Sequence, residues 1–90
     1  MNVNKMIRYN NYVGSVEFSE TDGIFYGKVQ GINSLISYEG TTISELIDDF
    51  HSAVDDYIEV CKDENIKPEI SNFENYGIKY NFMNEFAIAK

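Results

Sequence analysis

Tryptophan is absent from these 90 residues, and cysteine, proline and histidine occur once each. Each scarcity removes a class of chemistry. A single cysteine, Cys61, cannot form an intrachain disulfide, which fits a reducing compartment. A single histidine, His51, has no second histidine or additional cysteine with which to hold zinc, and no paired nucleophile to activate. Basic residues are few: seven Lys and Arg stand against 15 Asp and Glu, for a net charge of −8. Binding a phosphate backbone needs cations that displace counterions, so direct nucleic-acid binding by this chain is not expected. No apolar run approaches the roughly 18 residues of a membrane span. The N-terminus is polar and lacks a signal-peptide pattern, so a cytoplasmic protein is the default expectation.

The apolar fraction of 43% and aromatic fraction of 14% describe a globular chain. A domain of this length buries only roughly 60–65% of its unfolded surface, so self-association or a partner would add stability.

The acidic excess is concentrated. Between Ser44 and Glu64 eight acids accompany one base, Lys62. On a helical projection of about 100° per residue, Ile43, Leu46, Ile47, Phe50, Val54, Tyr57, Ile58 and Cys61 gather on one side. Glu45, Asp48, Asp49, Asp55, Asp56, Glu59 and Asp63 gather on the other. The pattern predicts a helix from about Ile43 to about Glu64 that covers a sheet with its apolar face. Thr42 and Glu45 have the spacing of a capping box, and Asn65 and Pro68 supply the stop. Cys61 falls within the apolar face and reads as buried filler; His51 falls at its border and reads as packing.

Before the helix, Arg8 to Phe18 read as one strand, with Tyr12, Gly14, Val16 and Phe18 alternating against Val13, Ser15 and Glu17. Glu20 to Gly23 supply a turn, and Ile24 to Val29 a second strand. A loop over Gln30–Ser34 leads to a third, short strand at Leu35 to Tyr38, ended by Gly40. Met1 to Ile7 read as a tail or strand lead-in. Gly14 and Gly27, inside strands, mark bulges or close packing under the helix. After Pro68, the alternation of Ile78, Tyr80 and Phe82 predicts a fourth strand within residues 77–83, with a short helix at 84–89. The expected fold is α+β in two layers, β-β-β-α-β: an antiparallel meander, a covering helix, and a fourth strand that pairs beside the first to give the order 3-2-1-4.

The acids carry no convergent site. Asp48/Asp49 and Asp55/Asp56 occupy the solvent face of one helix and diverge, whereas a metal cage needs oxygens from several segments. No glycine pattern forms a phosphate loop. The seven tyrosines could stack bases, but without adjacent cations an aromatic core and interface is the better reading. Neither a catalytic residue, nor a metal, nor a cofactor is expected.

Four segments together resemble the HicB family of antitoxins: Asp22-Gly23-Ile24-Phe25; Val29-Gln30-Gly31-Ile32; Ser37-Tyr38-Glu39-Gly40-Thr41-Thr42; and the run Phe50 to Cys61. The resemblance spans about two thirds of the chain, residues 12–69. It implies a partial ribonuclease-H-like fold without nuclease activity, in which residues 1–69 are the domain core and 70–90 a C-terminal extension. It also implies a small basic toxin partner of the HicA type, a ribonuclease masked on binding, and homo-oligomerisation. Asp22, Phe25, Tyr26 and Glu39 are the candidate partner contacts. Family members tend to carry prolines where Gln30 and Asn33 stand, and many carry a C-terminal DNA-binding segment. Ile70–Lys90 has no such pattern, so operator binding is not implied. Two other readings stand beside this one: an oligomeric interaction scaffold without a toxin, and a metal-dependent nuclease. The nuclease would need acids converging from strands and helix.

Overall fold

The computed structural model describes residues 5–71 and the two-residue strand at 81–82. Among the described residues, a six-stranded sheet is covered on one face by one helix, an α+β arrangement of two layers. The strands are β1 (Lys5–Tyr9), β2 (Tyr12–Ser15), β3 (Glu17–Ser19), β4 (Ile24–Gln30) and β5 (Ser37–Gly40). The helix α1 (Ile43–Asp63) follows, and then β6 (Asn81–Phe82). β2 and β3 lie end to end along one side of β4, and β5 lies along the other. β1 to β5 therefore form an antiparallel meander, and β6 returns parallel to β1. The final strand pairs with β1, which stands between it and the segment read as the first strand, so the expected order 3-2-1-4 is lengthened by one strand; the chain crosses over through the helix.

With β2 and β3 counted as one interrupted strand, the meander has one strand, β1, more than the sequence pattern predicted. Arg8 to Phe18 is not continuous, because the chain reverses at Asn10 and Asn11, both at positive φ (51° and 70°). Two successive left-handed residues make the turn whose twist suits a two-residue hairpin, and asparagine tolerates that conformation. Tyr9 and Tyr12 become direct cross-strand partners. Residues 5–7 are thus strand, not tail, and Met6 and Ile7 are buried. The third predicted strand is displaced as well. It runs Ser37–Gly40, joined by a bond from the Val29 N–H to the Ile36 carbonyl (2.9 Å), while Leu35 is 78% exposed.

The helix begins and ends where its caps dictate. Thr42 Oγ1 accepts from the Glu45 N–H at 3.0 Å. Glu45 reaches one residue further back than a capping box would, accepting from the N–H and hydroxyl of Thr41 (2.9 and 2.6 Å). These donors hold the Glu45 carboxyl below its ordinary range. At the other end Asn65 is left-handed (φ 57°), the Ile66 N–H returns to the Cys61 carbonyl and the Asn65 N–H to that of Lys62. That pair of bonds is a Schellman motif, which satisfies carbonyls the helix leaves open.

Leu46, Phe50 and Val54 are completely buried against Ile7, Tyr12, Val29 and Tyr38, and Cys61 is buried further along the same face. His51 stacks on Tyr9 (centroids 3.9 Å, planes 17° apart), and the Tyr9 hydroxyl donates to Asp55 Oδ1 at 2.9 Å. The border histidine is a packing residue, as its position predicted. Of the predicted last strand, 81–82 is present; the remainder, and the predicted helix at 84–89, lie outside the described residues.

Candidate functional site

The site is built around a defect in the sheet. β2 and β3 share one register against β4, yet the ladder is interrupted between them at Ser15 and Val16. There Tyr38 crosses from β5 over Gly27 and Gly14 and donates its hydroxyl to the Ser15 carbonyl at 2.8 Å. Both glycines are required. A Cβ on Gly14 would lie 2.0 Å from the Tyr38 hydroxyl, and one on Gly27 would lie 1.9 Å from the Ser15 carbonyl oxygen. The Ser15 hydroxyl in turn accepts the Lys28 N–H (3.1 Å), which the ladder would otherwise leave unpaired. The two glycines thus mark close packing under the helix, one of the two meanings their positions suggested.

A second hydroxyl repairs the other end of the same strand pair. Ser71 Oγ accepts from the Val13 N–H (2.9 Å) and donates to the Gln30 carbonyl (2.7 Å), bridging two residues that face each other in register. Ser71 is buried, and its own N–H donates to the Asn11 carbonyl at 3.2 Å. Ser71 therefore ties the chain that follows the helix into the sheet. Nothing in the sequence pattern singles out Ser71. Its role depends on a partner 58 residues away.

An open groove of about 690 Å³ runs beside β4 and β5. Ser19, Asp22, Tyr26, Ser37, Glu39 and Asp49 are among its lining residues. Tyr26 and Glu39 are direct partners across the two strands. Asp22 enters from the β3–β4 turn, where its N–H donates to Ser19 Oγ (3.2 Å) and Gly23 supplies the left-handed residue (φ 67°). The Tyr26 hydroxyl points to Glu17 Oε1 at 3.4 Å, and the ring is 40% exposed. Three of the four candidate contacts, Asp22, Tyr26 and Glu39, thus come together. Phe25 does not join them. Alternation along β4 turns it to the helix side, half-buried against Phe18 (4.8 Å) and the core.

Asp49 reaches this groove from the helix, and the sequence pattern assigned it only to a solvent face. Its Oδ2 accepts the Glu39 N–H at 2.9 Å. A smaller hollow of about 360 Å³ lies on the helix side of β5, lined by Glu45, Asp48 and Ser52 and sharing Glu39 and Asp49 with the groove. Neither hollow is lined by a lysine, arginine or histidine. Among the described residues, no group of three or more His, Cys, Asp or Glu side chains is placed to hold a metal ion, and no helix is long and apolar enough to cross a membrane. The chain matches no protein-family model, no curated protein and no solved structure.

Proposed function

We propose that this chain is a non-catalytic antitoxin of the HicB type, which binds and masks a small basic ribonuclease in the cytoplasm. The observation that carries the reading is the convergence of Asp22, Tyr26, Glu39 and Asp49 around one groove with no lining cation, on a chain of net charge −8. Such a surface attracts a cationic protein and repels the RNA that protein would cut. The aromatic ring of Tyr26 offers the contact type that dominates interface energetics, and the carboxylates around it supply specificity and encounter rate. The acidic far face of α1 extends the same potential along the molecule.

The test is a tandem purification from the native cell with a tag on this chain. A small basic protein encoded beside it should co-purify in fixed stoichiometry, and the complex should dissociate more readily as salt rises. Recovery of the tagged chain alone, under conditions that keep it folded, would overturn the reading. An assembly of copies of this chain is the second reading. Leu35, Ile66 and Ile70, exposed by 78%, 52% and 56%, favour it. Sedimentation of the purified chain distinguishes the two, since only self-assembly depends on its own concentration alone.

A further inference from the structure

The free edge of β5 carries the next step. β5 pairs with β4 on one side only, and among the described residues no strand lies on its other side. The Val29–Ile36 bond fixes which β5 residues point inward. Pairs alternate along an antiparallel ladder, so Tyr38 and Gly40 bond to β4, while the N–H and C=O of Ser37 and Glu39 point outward. Ser37 and Glu39 are both exposed. An outward-facing row of backbone donors and acceptors is a template for another strand. Here the Glu39 N–H donates to the Asp49 carboxylate.

The two hollows flank this edge. Side chains of a strand laid along β5 would point alternately into the groove at Asp22, Tyr26 and Glu39 and into the helix-side hollow at Glu45 and Asp48. Asp49 stands between the two. Both sides therefore select cationic side chains at successive positions. A second copy of this chain is a poor occupant, because edge-to-edge pairing would bring the two sets of carboxylates together. Lys28 stands opposite Ser37 and lines neither hollow.

We infer that β5 receives an extended, arginine-bearing strand of a partner protein. The strand adds to the sheet through Ser37 and Glu39, and its guanidinium groups draw Asp49 off the Glu39 N–H while occupying the acidic hollows. Arginine suits the site better than lysine, since its planar fork can bind a carboxylate in two places and stack on the Tyr26 ring. Asp49 then has two roles. In the free chain it satisfies the edge donor and discourages indiscriminate strand pairing. In the complex it is an anchor for the incoming cation. The inference rests on the partner-binding reading for its biological setting, but the surface can be tested without that partner.

The experiment uses the full chain, isotope-labelled, and a blocked pentapeptide Thr-Val-Arg-Arg-Thr, whose successive arginines point to opposite sides of the strand, followed by amide chemical shifts. The expected result is saturable movement of the Ser37 and Glu39 amides. Methylating the peptide's backbone nitrogens leaves its charge unchanged and should weaken binding about tenfold or more, the loss of one or two strand bonds. The variant Ser37→Pro, which removes an outward N–H and spares the inward ladder, should weaken binding by a similar factor. Equal binding of the methylated peptide would reduce the surface to a charge patch and overturn the inference. Absence of any shift at Ser37 and Glu39 would also overturn it. The same variant separates this inference from the antitoxin reading. If Ser37→Pro still inhibits the co-encoded ribonuclease fully, strand addition is wrong and the antitoxin reading survives. If the unaltered chain binds the peptide but inhibits no co-encoded ribonuclease, the opposite holds.

Discussion

Replacing Gly14 by alanine probes the slot in which Tyr38 lies. The added Cβ would meet the Tyr38 hydroxyl at 2.0 Å and Cζ at 2.9 Å, with Phe50 Cε1 at 3.1 Å. The ring must retreat by roughly an ångström, and its 2.8 Å bond to the Ser15 carbonyl does not survive that shift. Overpacking costs about 1–3 kcal/mol and the broken buried bond about 1–2 kcal/mol more, so Gly14→Ala should destabilise by about 2–5 kcal/mol. Tyr38→Phe alone leaves the Ser15 carbonyl without its donor and should cost about 1–2 kcal/mol. Combined, the two changes share the same lost bond, and the worst contact disappears with the hydroxyl. The double variant should therefore fall short of the sum by about 1–2 kcal/mol. Gly27→Ala is the control: its Cβ meets the Ser15 backbone oxygen at 1.9 Å, so Tyr38→Phe should give it no comparable relief. Urea unfolding followed by circular dichroism and by tyrosine fluorescence measures all six proteins, the unaltered chain and the Gly27→Ala/Tyr38→Phe double variant included. A domain of this size has only about 5–13 kcal/mol in hand, so a few kcal/mol is a large fraction. Additive behaviour of Gly14→Ala with Tyr38→Phe would refute the slot.

Ser71→Ala should cost about 1–3 kcal/mol in the same assay, because it strands the Val13 N–H and the Gln30 carbonyl together; Ser71→Thr should recover part of the loss. Burial raises the Tyr38 phenol well above its ordinary value, and the Asp55 hydrogen bond raises that of Tyr9. Groups raised on folding stabilise fully below the unfolded value near 10 and lose that contribution as pH climbs through the folded value, so stability should fall above about pH 10. Spectrophotometric titration should show Tyr38 ionising last and together with unfolding. Glu45 behaves oppositely: its depressed carboxyl stabilises above the unfolded value near 4.3, and the contribution fades as pH drops through the folded value. Thermal melts of Glu45→Gln against the unaltered chain should accordingly converge as pH is lowered below about 4. Thr42→Ala should cost about 1 kcal/mol through the lost cap, or about 4–8 °C in melting temperature.

The helix was legible because every signal for it agrees. The apolar positions recur at helical spacing, Thr42 and Asn65 bracket them, and the acids fall on the remaining face. The first hairpin was hidden because Asn10-Asn11 interrupts an alternation that otherwise runs on, and without a glycine the turn reads as two more strand residues. The β5 boundary slipped because the apolar pair Leu35 and Ile36 looks like strand, whereas the pairing is set by Tyr38 fitting the slot left by two glycines. Asp22, Tyr26 and Glu39 come together because turn chemistry and strand register are local properties. Phe25 was grouped with them although one residue's step along a strand reverses its face. Asp49 and Ser71 escaped notice for a common reason: each acts through a backbone group on a distant element, and no periodicity records that.

The proposed antitoxin role is tested most directly by a titration of RNA cleavage by the small basic protein that the proposal requires to be encoded beside this chain. Increasing amounts of the purified chain, at fixed low salt, should abolish cleavage at a defined stoichiometric ratio, and Asp22→Asn combined with Glu39→Gln should shift the endpoint to higher concentration. Undiminished cleavage in the presence of a large excess of folded chain would contradict the account.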